Sequence, residues 1–169
     1  MPASHNMRPA VASRWVVLGL GNVLNSDEGC GVHALTLLAQ TLDPTLEGIE
    51  LFDGGTLGFN LLPVVEACSH LLILDSVDAG LPPGSLIELQ GEEIPLYSRA
   101  KLSQHQITFQ EVLALARFRN KLPPHLHIVG LQPANLAIGT DLSPVVAATI
   151  PHVVARAIQV VQAWRMQSG

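Results

Sequence analysis

The stretch VVLGLGNVLNSDEGCGVHAL, residues 16–35, decides the expected fold. Its apolar, β-branched run ends in glycines, which is typical of a buried strand followed by a tight turn. Apolar residues then recur on one helical face, so the stretch predicts a strand, a turn and a helix. Asp27 and Glu28 lie where a nucleotide-binding turn would receive a phosphate. Two carboxylates would repel a phosphate, so this turn is expected to serve another ligand.

The alternation of strand and helix continues along the chain. Apolar runs bounded by turn residues predict further strands at 70–75, 85–90 and 125–131, and the stretch IELFDGG, residues 49–55, predicts a strand that ends at Asp53. The strand at 85–90 reads as a sheet edge and is a candidate antiparallel strand. This pattern predicts an α/β fold, a single-domain three-layer sandwich whose twisted, mostly parallel sheet of about five strands is flanked by helices. The domain is expected at residues 14–165, after a flexible polar leader at 1–13.

The helices carry distinct proline and capping signals. Pro63 is expected to break or kink the helix that follows the second strand. A loop carrying KLSQHQ precedes a helix that is predicted to begin at Thr108. The last helix is predicted to take Ser143 as N-cap and Pro144 as its first residue. Pro151 lies inside that helix and is expected to bend it.

Composition and charge exclude several classes of partner. The net charge is −5 and no run of Lys and Arg occurs, so nucleic acid is not an expected partner. Gly, Pro and charged residues interrupt every apolar stretch well short of the roughly 18 residues that span a bilayer, so no membrane segment is expected. The N-terminus lacks the apolar centre of a signal peptide, which predicts a cytoplasmic protein. Cys30 and Cys68 sit in apolar patterns and are predicted to be reduced core thiols.

Polar side chains follow several of the predicted strands. In parallel α/β sheets the ligand crevice lies at the carboxyl ends of the strands. Any one carboxylate there is more often a helix cap. Several converging carboxylates repel each other unless a cation or a shared proton relieves them, and a nearby imidazole then favours a divalent-metal site. The candidates are Asp27 and Glu28 after the first strand, Asp53 after the second, Asp75 and Asp78 after the third, and His105 in a later loop.

Common nucleotide and hydrolase signatures are absent from the sequence. The dinucleotide fingerprint requires a third glycine where Leu24 stands, and no Gly-Lys-Ser or Gly-Lys-Thr occurs. Nor does the chain contain G-x-S-x-G, H-E-x-x-H or C-x-x-C. A nucleotide-dependent enzyme is therefore the weakest of the functions that we consider.

Five segments in chain order resemble one known family: GLGNVLNSDEGCGVHAL, DGGTLGFNLLP, LLILDSVDAGLPPGSL, KLSQHQI and HIVGLQP. They resemble the hydrogenase maturation endopeptidases, hydrolases that trim the C-terminus of the large subunit of [NiFe] hydrogenases. The resemblance extends from about residue 15 to residue 164 and is most specific in the opening D-E-G motif. It implies a single α/β domain with a twisted sheet between helices.

The resemblance also implies a site and a partner. Matched by motif, the metal-binding and catalytic residues are Glu28, Asp75 and His105, with Asp78 a less favoured substitute for Asp75. The implied metal is nickel, delivered within the hydrogenase large-subunit precursor and serving as the recognition signal for cleavage. Another divalent cation would fit the same ligands in isolation. The expected state is a monomer in transient complex with its precursor.

The glycine-rich run DGGTLG, residues 53–58, is predicted to contact the substrate tail. Asp53, Gly54, Gly55 and Thr56 would admit an extended peptide or supply amide donors to the scissile carbonyl. The equally favoured alternative is a tight strand-to-helix turn with Asp53 or Thr56 as its cap.

Two points about function stay open. In one mechanism the cation polarises the carbonyl or activates a water while a carboxylate acts as general base. In the other, a carboxylate alone assists the water and nickel only positions the tail. A nickel-binding chaperone or checkpoint module that does not cleave is the alternative function. His125 and His127 share one face of a strand like a ligand pair, but the family motif places no ligands there.

Overall fold

A five-stranded sheet forms the middle layer of the computed structural model, which describes residues 13–41, 43–94 and 104–169, with side chains omitted for 104–108. The strand order is β2-β1-β3-β5-β4. All neighbouring pairs are parallel except β4 with β5, so β4 is an antiparallel edge strand. The predicted sheet is confirmed. The strands are β1 (Trp15–Leu20), β2 (Glu50–Gly55), β3 (His70–Ser76), β4 (Leu86–Gln90) and β5 (His125–Leu131).

Helices cover both faces of this sheet. They are α1 (Cys30–Gln40), α2 (Leu62–Ala67), α3 (Gln104–Phe118) and α4 (Pro144–Ser168). One core lies between the sheet and the α1–α4 pair, and a second lies between the sheet and the α2–α3 pair. The three-layer sandwich predicted from the sequence is therefore confirmed. The predicted leader covers residues 1–13, and residues 1–12 lie outside the part of the chain that the structure describes.

One helix start differs from the prediction. The helix predicted to be broken or kinked at Pro63 is divided there, because a 3₁₀ turn at Gly58–Leu61 ends just before α2 and Pro63 lies in the first turn of α2. Proline is tolerated there because the first turn has no intrahelical acceptor for its missing N–H. The helix predicted from Thr108 begins at Gln104, so His105 belongs to α3 and not to a loop. The residues just before Thr108 are mostly polar and show no helical periodicity of apolar side chains, so the sequence did not predict this first turn.

The last helix begins as predicted, with Ser143 as N-cap and Pro144 in its first turn. Pro151 lies within it, while a bend there stays a prediction. By length and composition α4 is long enough and apolar enough to cross a bilayer. Eight of its side chains are instead buried in the core, so packing accounts for its apolar character: Val146, Ile150, Val153, Val154, Ala157, Val160, Val161 and Trp164.

Side-chain alternation along β3 determines the face of the sheet on which each of its side chains lies, including that of Asp75 at the carboxyl edge. All seven residues of this strand are buried. Leu72 and Leu74 belong to the core under α1 and α4, whereas Leu71 and Ile73 belong to the core under α2 and α3. Because successive side chains alternate, Asp75 lies on the α2–α3 face at the end of the strand.

Helix α1 packs on the strand ends through Gly31. A Cβ atom at this position would stand 2.1 Å from the Leu74 carbonyl oxygen and 2.5 Å from that of Leu20. Both neighbours are backbone atoms of central strands, so neither can yield without disturbing the sheet. The absent side chain therefore allows α1 to approach the ends of β1 and β3, where Asp27, Glu28 and Asp75 are located.

Gly31→Ala is expected to destabilise the protein by about 3 kcal/mol or more, because the added methyl group must displace helix or strand backbone. Urea unfolding measures the loss. Thr36→Ala is the matched control on the exposed face of α1, and we expect it to change the free energy of unfolding by less than about 0.5 kcal/mol. Equal stability of the Gly31 and Thr36 variants would contradict the close-packing argument.

Candidate functional site

A 3₁₀ turn, Ser26–Gly29, follows the loop after β1 and carries two buried carboxylates. The turn contacts β3, whose end carries the third buried carboxylate. Asp27, Glu28 and Asp75 thus come from neighbouring strands and meet at one edge, as the sequence predicted from the parallel order.

Asp27 serves the structure and not a ligand. It is fully buried, and its two oxygens accept four hydrogen bonds. Oδ2 accepts from the Ala134 and Asn135 amides, both at 2.9 Å, and from the Ser143 hydroxyl at 2.7 Å. Oδ1 accepts from the Ser143 amide at 2.7 Å. The Ser143 hydroxyl consequently does not cap α4 in the usual way, because it donates to Asp27.

The same contacts control the charge of Asp27. Burial by itself raises the pKa of this carboxyl, but the hydrogen bonds from Ser143, Asn135 and Ala134 outweigh burial and bring the pKa below its ordinary value of 3.8. Asp27 is therefore held as a carboxylate inside the fold.

Backbone geometry places Glu28 just after this anchor. Gly21 has φ +123°, and a Cβ atom there would lie 1.9 Å from the Glu28 carbonyl oxygen. Ser26 adopts φ +53°, an uncommon value for a residue with a side chain. Its hydroxyl donates to the Ala137 carbonyl at 2.8 Å, which holds this conformation. The position of Glu28 is thus determined by the turn on both sides.

Asp75 lines a narrow pocket at the carboxyl edge. The pocket has a volume of about 50 Å³. The Ser76 amide donates to Asp75 Oδ1 at 2.7 Å, which orients the carboxylate. The remaining lining residues combine glycine-rich backbone with apolar walls: Leu20, Gly21, Gly55, Thr56, Gly58, Leu61 and Phe109. Sequence analysis did not single out Leu20, Leu61 or Phe109, because their apolar periodicity indicated only core packing.

His105, the third predicted ligand, lies in the first turn of α3, and its side chain is outside the described part of the structure. Phe109 follows one helical turn later on the same face of α3 and lines the Asp75 pocket. Among the described side chains, no group of three His, Cys, Asp or Glu residues is placed to hold a metal ion. The ligand set Glu28, Asp75 and His105 therefore stays a prediction.

The predicted substrate loop lines a groove next to this pocket. A second pocket of about 180 Å³ is lined by Asp53, Gly55 and Thr56, together with Gly21, Asn22, Val23 and Val32. Gly21, Gly55 and Thr56 line both pockets, so the two form one continuous groove. Within the loop, the Gly55 amide donates to Asp53 Oδ1 at 3.0 Å, which is the turn-capping contact of the alternative interpretation.

Gly54 faces away from the groove. It is buried, and a Cβ atom there would meet Leu18 Cδ1 at 2.7 Å and Leu20 Cδ2 at 2.9 Å. The strand β2 continues through Gly55, past the predicted end at Asp53, because the chain keeps its pairing with β1. Thr56 and Asp53 are exposed and remain the side chains of this loop that a peptide could contact.

Asp78 is engaged elsewhere. The Gln132 side chain donates to Asp78 Oδ1 at 2.9 Å, and this bond is the main reason that the pKa of Asp78 is lowered. Gln132 Oε1 also accepts from the Ala79 amide at 2.8 Å, so this buried glutamine holds the loop after β3. Asp78 does not line the Asp75 pocket.

The histidines of β3 and β5 have structural partners at the other end of the sheet. His127 Nε2 donates to Glu88 Oε1 at 2.7 Å, and Arg156 Nε donates to Glu88 Oε2 at 2.6 Å. His70 and His125 stack with ring centroids 4.1 Å apart. Burial, followed by the His125 charge, lowers the pKa of His70 to about 4. The resemblance of His125 and His127 to a ligand pair thus has a structural explanation.

Both cysteines are free and buried, as predicted. Burial, followed by the Asp75 and Asp27 charges, raises the pKa of Cys30 far above the ordinary thiol value. Burial likewise raises the pKa of Cys68 to about 11. Neither thiol is poised to act as a nucleophile.

Fold and site together define an α/β protein with an acidic crevice at the carboxyl edge of its sheet. The sequence model of the family described as hydrogenase maturation protease matches residues 32–160. The chain is 38% identical over 156 residues to the hydrogenase expression/formation protein HupD of Rhodobacter capsulatus. This alignment covers 91% of this chain and 74% of that relative. It is 37% identical over 138 residues to the hydrogenase 2 maturation protease of Escherichia coli, an alignment that covers 81% of this chain and 84% of that protein.

A solved structure, the hydrogenase maturating endopeptidase HybD from Escherichia coli, superimposes with a TM-score of 0.81 at 33% sequence identity. The match covers 89% of this chain and 93% of that structure. The chain belongs to the hydrogenase maturation protease family and is accordingly a peptidase.

Asp27→Asn is expected to lower the free energy of unfolding by about 2–4 kcal/mol at neutral pH, because an amide nitrogen would face backbone donors that now meet a carboxylate. The folded-state pKa of Asp27 lies below its ordinary value, so its contribution is present above that value and is lost as pH falls through the folded-state pKa. Urea unfolding at a series of pH values should therefore show the wild type and the variant converging below about pH 4. Asp78→Asn is the exposed control, and a loss as large as that of Asp27→Asn would contradict this role.

Proposed function

We propose that this protein removes a C-terminal peptide from the precursor of a [NiFe] hydrogenase large subunit after nickel has been inserted. The observation that carries the proposal is that two buried carboxylates lie at the carboxyl edge of the sheet, Glu28 in the turn after β1 and Asp75 at the end of β3, and that this turn and this strand contact each other. Membership of the hydrogenase maturation proteases supplies the class of substrate. The groove beside the Asp75 pocket supplies a path for an extended tail.

The donor chemistry of the crevice suits a divalent cation. Asp27 uses its oxygens on backbone and hydroxyl donors, so Glu28 and Asp75 are the acidic residues of this edge that we assign to the metal. Apolar walls from Leu20, Leu61 and Phe109 surround the Asp75 pocket, and buried negative charges gain from an opposite charge in such surroundings. We assign the third ligand to His105 because the face of α3 that holds it lines the same pocket through Phe109.

Oxygen and nitrogen ligands of this kind also accept zinc and other divalent ions in isolation. Nickel enters the proposal as part of the substrate, held by the precursor. Its presence in the precursor would complete the binding of the tail, so that cleavage follows metal insertion. When bound, the cation supplies Lewis-acid polarisation of an oxygen atom.

Hydrolysis requires a base and a water molecule. In the proposed step, one crevice carboxylate accepts a proton from water while the water oxygen attacks the scissile carbonyl carbon. The C–N bond then breaks, and the proton passes to the leaving amine. The buried and protonated Cys30 thiol next to the crevice is unsuited to covalent catalysis, which favours direct attack by water.

The tail is proposed to lie along the groove with Asp53, Gly55 and Thr56 on one side. The Gly55 amide already donates to Asp53, so the exposed Thr56 hydroxyl is the better candidate for a polar contact with the peptide. Gly54 supports the loop from inside the core. The protein is proposed to act as a cytoplasmic monomer that meets its precursor transiently.

Glu28→Gln and Asp75→Asn are each expected to lower the rate of cleavage by at least about 100-fold, because each removes a general base or a metal ligand. Intact-mass spectrometry of a nickel-loaded large-subunit precursor, incubated with wild type or variant, measures the loss of one C-terminal peptide. The precursor without nickel should keep its full mass. Urea unfolding verifies that each variant is folded.

Asp78→Asn provides the matched control, since it neutralises a carboxylate after the same strand that does not line the pocket. It should cleave at the wild-type rate. Full activity of Glu28→Gln on the loaded precursor would contradict the proposed chemistry. Complex formation between the wild type and its loaded precursor without any change in mass would instead favour the alternative function, a nickel-binding checkpoint that does not cleave.

A further inference from the structure

Three large apolar side chains point into solvent beside the crevice. Leu24, Leu136 and Ile138 are 58%, 40% and 92% exposed, respectively. Leu24 lies in the loop after β1, and the other two lie in the segment between β5 and α4. We call these three residues the apolar patch. Exposing several large apolar groups together is unfavourable in water, and such patches commonly mark interaction sites.

Hydrogen bonds hold the patch in place. The Gly139 amide donates to the Leu24 carbonyl and the Ser26 amide donates to the Gly139 carbonyl, both at 2.9 Å. The Ser26 hydroxyl donates to the Ala137 carbonyl at 2.8 Å, and the Ala137 amide donates to Asn135 Oδ1 at 3.0 Å. The two segments are thus joined as a short parallel bridge, Asn25 to Gly139, directly beneath the exposed side chains. A surface ordered in advance loses little entropy when a partner binds.

The patch is uncharged and continuous with the groove. Residues 22–26, NVLNS, and 133–140, PANLAIGT, contain no charged side chain. Val23 lines the groove and is itself partly exposed, and it is followed directly in sequence by Leu24. The surface therefore runs from the groove through Val23 onto the patch without crossing a charged residue of these two segments.

We propose that the apolar patch is the docking surface for the folded body of the precursor, on an uncharged apolar area of the precursor beside its tail. The inference rests on the proposed function and adds a second point of recognition to it. The groove contacts the tail near the scissile bond, whereas the patch lies outside the groove and contacts the protein to which the tail is attached.

The continuity of patch and groove is the argument for this occupant. A tail that reaches the Asp75 pocket brings its parent domain close to the groove. Val23 lines the groove and directly precedes Leu24, and the bridge from Asn25 to Gly139 brings the segment with Ile138 alongside. The lack of charge in both segments favours an uncharged partner surface, so this contact should depend little on salt. Binding energy gained at the patch is remote from the reacting bond and would raise affinity for the whole precursor.

Ile138→Ser tests the proposal. This side chain is almost fully exposed, so the substitution should leave the free energy of unfolding unchanged. We expect the KM for the nickel-loaded precursor to rise at least about tenfold with kcat unchanged, as for loss of a central apolar contact. Leu136→Ser should act in the same direction. The change in KM should be similar at low and high salt.

Met166→Ser is the matched control. Met166 is 84% exposed near the end of α4. That end lies on the opposite edge of the sheet, because the neighbouring Trp164 packs against Trp15 and His70 at the starts of β1 and β3. This variant removes an equally exposed apolar group far from the groove and should keep the wild-type KM.

The outcomes separate this inference from the proposed function. If the wild type cleaves the loaded precursor and Ile138→Ser keeps the wild-type KM, the docking surface is refuted while the function stands. If the wild type does not cleave the loaded precursor, the proposed function is refuted. The patch is then tested by binding alone: weaker binding of Ile138→Ser than of the wild type supports the docking surface, and equal binding refutes it. A wild-type dimer in sedimentation that Ile138→Ser converts to a monomer would assign the patch to a second copy of this chain and overturn the proposal.

Discussion

The buried Asp27 carboxylate is the interaction on which the functional edge of this protein depends. Its oxygens join the turn after β1 to the segment between β5 and α4 through backbone amides and the Ser143 hydroxyl. A charge in the interior is stable only when hydrogen bonds replace the lost water, so the segments that supply those donors must stay in place. The anchor therefore orders the turn with Glu28, the start of α4 and the apolar patch together.

Close packing of helix on strand provides the second constraint. The lack of a side chain at Gly31 lets α1 approach the ends of β1 and β3, and the lack of one at Gly21 lets the loop approach the Glu28 backbone. These contacts bring Glu28 near the end of β3, where alternation has already placed Asp75 on the α2–α3 face. The placement of two buried carboxylates at one edge of the sheet therefore follows from backbone contacts among the described residues.

Under the proposed function, one small domain combines recognition and chemistry around this crevice. The groove shared by the Asp53–Thr56 loop and the β1 turn is narrow and suits an extended chain. The neighbouring apolar patch is uncharged and is held by backbone hydrogen bonds, which suits the proposed contact with a folded surface. Peptidases that act on one large partner gain selectivity when contacts outside the cleavage site contribute to binding. In this protein the same anchor orders both surfaces.

The sequence by itself determined the α/β class, the strand positions and the antiparallel edge strand, and it placed Asp27, Glu28 and Asp75 after strands that end at the same edge of the sheet. These features follow from local periodicity and from the rule that the ends of parallel strands meet, so neighbouring residues carry the information. The resemblance in the D-E-G motif pointed to the family that the comparisons then established.

Only the tertiary structure decided which of the adjacent carboxylates is the anchor. Asp27 and Glu28 look alike in the sequence, and the anchor role of Asp27 depends on donors more than 100 residues away along the chain. The same holds for Gln132, which holds Asp78, and for His127, which pairs with Glu88. Long-range partners of this kind leave no periodic signal, since each depends on how separate segments meet in the folded chain.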